Sequence, residues 1–443
     1  MSRTLAAFAV DHDVASIPGD VIAEAKRSLV NFVGCAVGGA PHATVEIALR
    51  ALGPHVPGPH RLLGRRERLD PFHAALVNGM SSAVLDFDAT QAKFTNIHPS
   101  GPVVPAVLAV AGMRPVTGRD ALAATIVGVE VACRVANGLF DRDNPGWHVT
   151  GVAGGFGAAA AAGRLLGLDA DRMVHAFSIA ATQAAGLREM YGTMCKSFTP
   201  GRTAQNGLTA ALLAEAGFDG AEHPIEGRTG FARVLTGRTD VAAITEGLGV
   251  RHEILLNTYK PFPCAIVTHA AIDGCLRLKH RHGLAPGDIT RVHITVSPLA
   301  EKLAGKTNPA TELEAKFSTV HLAALALTRG AVTARGIAAV DDPALLALRP
   351  HIETMVNEAF AKNAAAVTIE TLSGAAYTER VESALGSLDN PMDDAALDEK
   401  FTGLAEPVLG AAQAARLLTL CRSVDALDDV SALLEAAAPH EKG

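Results

Sequence analysis

Apolar positions recur every three to four residues through most of the first 250 positions of the chain. Residues 20–40, "DVIAEAKRSLVNFVGCAVGGA", predict an amphipathic helix stopped at Gly38 and Gly39. Asp70 followed by Pro71 predicts a helix start, with Asp as N-cap and Pro at the first helical position. That helix runs through "FHAALVNGMSSAVLDF" and ends near Asp86, and the next is predicted from about Pro105. Residues 119–138, 152–167, 171–187 and 203–216 also carry the helical period, and no convincing alternating strand precedes residue 250. The period changes after Lys260. "RVHITVS" (291–297) alternates as a half-buried strand does, and residues 366–382 read as two strands around Ser373-Gly374. Residues 312–330 and 342–359 between them read as helices, and helix resumes after "SLDNPMDDAALDEKF". The expected fold is mainly α with a smaller α+β domain. Residues 1–257 form a helical domain, 258–392 an α+β unit, and 393–443 return to the helices.

Composition narrows the picture. A chain of 443 residues exceeds one ordinary core, so two domains are expected. Apolar residues make up 49% but aromatics only 4%, so the core is built of small aliphatics that let helices approach closely. A formal net charge of −7 argues against nucleic acid as a partner, and an anionic ligand then needs a local cluster of Lys, Arg or His. Cys35, Cys133, Cys195, Cys264, Cys275 and Cys421 form no CxxC pair, and their spacing fits neither zinc nor a disulfide framework. A reducing, cytoplasmic setting is expected. No stretch reads as a secretory signal or as the roughly 18 uncharged apolar residues of a membrane span, so no membrane association is expected.

Four polar stretches interrupt this aliphatic background. In "DFDATQAKFTNIHPSGPVVPA" (86–106), His98 precedes Pro99 and is therefore held out of helical backbone, while Pro99, Pro102 and Pro105 stiffen the segment after it. A loop of that length can fold back and bring Asp86, Thr90 and His98 together; capping roles and a packed histidine would leave the same pattern. His148 opens a glycine-rich helix start, "GWHVTGVAGGFG", that lacks the strand and GxGxxG of a dinucleotide fold. Lys196, beside Ser197, lies in a Gly-bounded turn that can present an ammonium to a carboxylate, with Arg202 a weaker candidate. Lys260 precedes Pro261 and Pro263 at the change of period, and His269 lies beyond it on a helix. Taken together, two His, two Lys and one Asp in stiffened turns suit a small polycarboxylate and proton transfer beside a carboxylate. No metal-ligand spacing or phosphate loop competes.

These segments resemble the MmgE/PrpD family. The match is carried by "FHAALVNGMSSAVLDFDAT", "HPSGPVVPAVLAVA", "GWHVTGVAGGFGAAAAAGRLLGLD", "GTMCKSFTPGRTAQNGLTAALLAEAGFDG", "KPFPCAIVTHAAID", "EAKFS" and "NPMDDAALDEKF", in that order along nearly the whole chain. The family includes 2-methylcitrate dehydratases, cis-aconitate decarboxylases and iminodisuccinate epimerases. The resemblance implies a homodimer, a helical domain built from both chain ends, an inserted α+β lid, and a cleft that uses no metal or organic cofactor. It implies a pocket of Asp86, Thr90, His98, His148, Lys196 and Lys260, with Ser197 and His269 as further substrate contacts. Ala83 and Ala89 stand where the family commonly has a histidine and a third aspartate.

The leading expectation is a cofactor-independent lyase that dehydrates a 2-methylcitrate-like acid. Epimerisation of an iminodisuccinate-type dicarboxylate and decarboxylation of cis-aconitate are the alternatives, and an inactive scaffold relative is the non-enzyme reading. With Lys196 and His98 assigned to cleft loops, their removal is expected to cost turnover and little stability.

Overall fold

The computed structural model describes residues 1–141, 144, 146–238 and 241–439. Its first half is a bundle of helices, among them Gly19–Gly39, Pro71–Val84, Ser100–Ala111, Gly118–Leu139, Val149–Leu166 and Met194–Glu215. Val149–Leu166 lies at the centre, packed on Gly118–Leu139, Ser100–Ala111 and Met194–Glu215. Its sequence is Gly and Ala on nearly every face, and the close approach needs that. A Cβ on Gly157 would stand 2.3 Å from the carbonyl oxygen of Gly128. Gly118–Leu139 and Val149–Leu166 are long and apolar enough to cross a membrane, yet 94% and 89% of those windows are buried inside the protein. Their hydropathy exceeds what the sequence reading allowed, because Ala- and Gly-rich helices serve a bundle centre equally well.

Two large apolar cores divide most of the molecule, beside a small third around Val45, Leu62 and Leu69. One joins residues from Leu5 to Tyr259 with residues from Met392 to Ala437. The other runs from Phe262 to Ala384. The Asp394–Leu409 helix packs on Gly19–Gly39, where Gly34 and Gly38 leave room for Phe401 and Leu404. The second core backs a four-stranded sheet ordered Ile352–Val356, Ile289–Val296, Ala365–Thr371, Ala376–Val381. The first pair is parallel, with Val292 opposite Ile352, and the others are antiparallel, with Thr368 opposite Thr378. Helices His269–His282 and Thr319–Arg329 belong to this unit's core.

The mainly α architecture with a smaller α+β part agrees with the periodicity, and local boundaries differ. The helix expected from Pro105 begins at Ser100. Pro102 falls among the first N–H positions, which have no intrahelical partner, so only Pro105 removes a bond. The helix expected over 203–216 begins at Met194 and absorbs Pro200, and the one expected to reach 187 stops at Thr182. The helix expected over 342–359 is one short turn, Pro343–Leu348, followed by the strand Ile352–Val356. That strand sits at the sheet edge and is largely exposed, so its alternation is faint. A short hairpin, Pro57–Arg61 with Arg68–Leu69, was hidden by its Pro and Gly content. All six cysteines are free.

Candidate active site

The polar stretch after Pro71–Val84 is folded by its own backbone. Asp70 accepts from the N–H groups of Phe72 and His73 and starts that helix. At its far end Asp86 takes φ 53°, the only non-glycine with positive φ among the described residues. Asp tolerates this conformation better than most residues, and the turn directs its carboxylate inward. Thr90 then bridges to Thr258, and Gln91 to Ile97. The second bridge closes 92–96 into a small loop and returns His98 to its base. The N–H of His98 donates to Thr150 Oγ1 at 3.0 Å, which ties it to the helix that His148 caps.

The side chains meet at the seam between the two cores. Lys196, in the first turn of Met194–Glu215, donates to Asp86 Oδ1 at 2.5 Å. Lys260 donates to the Asp86 carbonyl at 2.9 Å and lies 3.1 Å from the same carboxylate oxygen. His98 Nδ1 lies 3.1 Å from the Ala89 carbonyl, 3.2 Å from Thr90 Oγ1 and 2.9 Å from Asp88 Oδ2. The Asp88 approach is close but not aligned as a hydrogen bond, and neither of its oxygens has an aligned partner. With Nδ1 so engaged, the bond network leaves Nε2 for the cavity. His148 is buried behind these groups, its ring 6.4 Å from that of His98 and 5.3 Å from that of Tyr191, and both of its nitrogens lack partners.

Asp86, Thr90, Asn96, His98, Tyr191, Lys196 and Lys260 enclose a cavity of about 40 Å³. The α+β unit closes it with Ala265, Ile266, Val267, Leu303 and Phe317. Lys316 adds a further ammonium beside Lys196 and Ser197 in an adjoining recess, where it donates to the Val84 carbonyl at 2.8 Å. A larger chamber of about 520 Å³ adjoins on the other side, and Lys260 and Ile266 line both spaces.

Charge in this site is held far from its behaviour in water. Burial alone would raise Asp86 and Asp88, but their neighbours win. Lys196, Lys260 and His98 keep Asp86 well below the usual carboxylate range, and His98 and Lys196 do the same for Asp88. Burial would lower Lys196, but Asp86 and Asp88 hold it above an ordinary lysine. Burial, reinforced by Lys196 and His98, pushes His148 well below the usual imidazole value, so it stays neutral. Burial raises the Tyr191 phenol, which remains a donor.

Not every candidate reaches the cavity. His269 lines the outer chamber, where burial and then Lys260 push it down to about 3. Arg202 lines a surface groove and bonds Gln205 Oε1 at 2.6 Å. Ser197 lies in the Lys316 recess with its hydroxyl donating to the Met194 carbonyl at 3.0 Å. Lys196 and His98, expected on loops, are buried at 7% and 6% exposure, so their loss has a stability cost that the sequence reading left out. Sequence reasoning missed Asp88, Tyr191 and Lys316. Asp88 lies two residues from Asp86, and Lys316 sits in the "EAKFS" segment. Tyr191 carries no comparable signal. Among the described residues, no three His, Cys, Asp or Glu side chains converge as a metal-ligand set.

A helical bundle whose buried Lys196, Lys260, Asp86 and His98 face a void closed by a second unit, with Asp88 and His148 behind them, has the construction of a pocket enzyme rather than a scaffold. The chain belongs to the MmgE/PrpD family: residues 3–243 match the MmgE/PrpD N-terminal domain and residues 262–426 the C-terminal domain. It is similar to cis-aconitate decarboxylase of Aspergillus terreus, at 28% identity over 95% of this chain and 92% of that protein. It is similar to the cis-aconitate decarboxylase-like protein oryM of Aspergillus oryzae, at 28% over 95% and 93%. The human cis-aconitate decarboxylase is 27% identical over 84% of this chain and 81% of its own length.

Proposed function

We propose that this protein is a lyase acting on a small unsaturated tricarboxylate of the cis-aconitate type, from which it removes carbon dioxide. One observation carries the reading. The two ammonium groups of Lys196 and Lys260 and the free edge of His98 converge on one buried cavity from three separate segments. The likeness to cis-aconitate decarboxylases over 95% of the chain supports this choice of reaction. Dehydration of a 2-methylcitrate-like acid, the leading expectation from sequence, would use the same groups but lacks that support.

Heterolysis of the carbon–carboxylate bond releases carbon dioxide and leaves its electron pair on carbon, conjugated with the remaining alkene and carboxylate. Lys196 and Lys260 stabilise the charge that develops there, and a low-dielectric site strengthens that effect. His98 protonates the carbon through Nε2 while Asp88 and the Ala89 carbonyl hold its other nitrogen. A cavity of about 40 Å³ holds only a few waters. The substrate therefore enters when the wall of Ala265–Val267, Leu303 and Phe317 moves off the helical side.

The test is to incubate the protein with cis-aconitate, 2-methylcitrate and iminodisuccinate in deuterated water and monitor products by NMR. Decarboxylation gives an itaconate-type product with one carbon-bound deuterium and equimolar carbon dioxide. Dehydration gives new unsaturation without loss of carbon, and epimerisation gives deuterium exchange without loss of mass. Inertness toward all three sinks the proposal.

We also propose that the protein works as a homodimer. Leu187, Met194 and Phe198 are exposed together near a groove of Ala185, Gly186 and Arg202. A stable monomer in sedimentation at micromolar concentration would count against this.

A further inference from the structure

We propose that Lys400, on the helix that returns from the far end of the chain, is a positioning residue that fixes Asp86 and Lys260 for the reaction. The inference rests on the lyase reading, and its geometry stands apart from it. The Lys400 ammonium donates to three oxygens: Asn31 Oδ1 at 2.7 Å, the Phe87 carbonyl at 2.7 Å and the Lys260 carbonyl at 2.9 Å. It also lies 3.8 Å from the centre of the Phe87 ring. An ammonium has three protons, and all three are used. Part of the stem reaches solvent, but the charged end is enclosed.

The partners explain the role. Asn31 belongs to the rigid Gly19–Gly39 helix. Phe87 is the residue after Asp86, whose backbone is in the left-handed region. Lys260 is the residue whose own ammonium meets Asp86. Lys400 therefore pins to one fixed helix the two backbone segments that must register for the Asp86–Lys260–Lys196 cluster to form. Lys400 does not line the cavity, so it acts through these residues and not on substrate. The proton count matters, because a neutral amine keeps two donors and turns a lone pair toward a carbonyl. Burial lowers Lys400 to about 8. Asp88 on the polar loop favours the charged form and Lys260 opposes it, while the Cys35 thiol on Gly19–Gly39, pushed up to about 11 by burial, is uncharged at this pH and adds nothing. Part of the cluster's order is therefore lost in mildly alkaline solution.

The experiment uses the full chain with Lys400→Met, Lys400→Arg and Leu404→Ala, the last loosening the same helix against Gly38 without touching the carbonyls. For Lys400→Met we expect kcat on cis-aconitate to fall about 100-fold, as a displacement of about 1 Å at a reacting group does, with KM changed less than about threefold. Lys400→Arg is expected to restore much of that loss and to lack the decline of kcat above about pH 8 expected of the wild type, since a guanidinium stays charged. Leu404→Ala lowers the melting temperature and keeps kcat. Wild-type kcat and an unchanged pH profile in Lys400→Met would overturn the proposal, as would parallel losses in Lys400→Met and Leu404→Ala. Side-chain NMR of the lysine ammonium groups gives a readout that needs no turnover. Lys400→Met should move the Lys260 and Lys196 signals and leave that of Lys26, which pairs with Asp425. If the wild type is inert on every carboxylate but those signals move, the functional reading fails and the positioning role stands. If the signals stay, the positioning role fails whatever the activity.

Discussion

Two clusters of buried charge, one inside the helical bundle and one at its seam with the α+β unit, are built on opposite terms. In the first, Arg134 and Glu130 pair one turn apart on Gly118–Leu139, at 2.5 Å. The remaining Arg134 donors reach the carbonyls of Ile244, Glu246, Gly247 and Arg251, and Glu130 Oε2 accepts the N–H of Glu253 at 2.6 Å. Every donor is used, the backbone is relaxed, and neither residue lines the cavities around Lys196 and Lys260. The second cluster, Asp86 with Lys196 and Lys260, has a left-handed aspartate, a neutral histidine with two idle nitrogens, a second aspartate without an aligned partner, and a void. Burial of charge is common to both and so does not mark the site. Unused hydrogen-bonding capacity, backbone strain and empty space occurring together do mark it.

Substitution can break this contrast. The largest effect is expected at the second cluster. Lys196→Ala and His98→Ala should each lower turnover about 10²–10⁴-fold. Each should also cost about 1–3 kcal/mol in urea unfolding, because a buried polar partner is orphaned. Loss of Lys196 should weaken substrate affinity as well as rate. Full activity in both variants removes the site. At the first cluster, Arg134→Met strands Glu130 and should cost about 3–5 kcal/mol of stability, while kcat per folded molecule stays near the wild type. A matching collapse of kcat would erase the distinction between the clusters.

Acidity should separate them by sign. Asp86 and Asp88 titrate below their unfolded values, so they add stability that is present above about pH 4 and lost as pH falls further. Burial raises Glu130 from 4.5 to about 7 even against Arg134, so its contribution is present below about 4.5 and lost as pH rises through about 7. Urea midpoints from pH 3 to 8 should therefore flatten in the upper window for Glu130→Gln and in the acidic window for Asp88→Asn. Both variants acting in one window would contradict the assignment. The smallest effect belongs to Ser197→Ala. Its hydroxyl already bonds its own helix, so KM should move less than about threefold and stability by about 0.5 kcal/mol or less.

Much of this was legible in the chain because helices repeat their signal and turns declare theirs. The 3.6-residue period gave the bundle, and the change to period two after Lys260 gave the α+β unit. The edge strand Ile352–Val356 escaped because an exposed strand has no buried face to betray it. At the site, prolines and glycines identified the stiff segments that carry His98, Lys196 and Lys260. They could not show that Lys196 opens a helix instead of lying in a turn, since Pro200 reads as a stop and the structure absorbs it. Asp86 stood out at a helix end while Asp88 was passed over, because only the folded loop shows that the second carboxylate meets an imidazole. Lys316 and Lys400 stood inside resembling segments without a local reason to be chosen. Their roles depend on contacts 232 and up to 369 positions distant in sequence.

The crossing of the helices Pro71–Val84 and Met194–Glu215 has a consequence for how such a protein can change over generations. A Cβ on Gly79 would fall 2.6 Å from the Gly201 Cα, and one on Gly201 would fall 2.1 Å from the Leu76 carbonyl oxygen. The scaffold elements that lead to Asp86 and carry Lys196 thus touch through bare backbone, and no side-chain size enters the separation of the two groups. Mutational drift elsewhere in the bundle cannot easily stretch or shorten that span, whereas one added methyl at Gly201 would. The wall from the α+β unit has no such constraint, since Ile266, Leu303 and Phe317 can be exchanged in size without moving the charged groups. A lineage built this way can explore new substrates by recutting one wall while its reacting groups keep a fixed gauge.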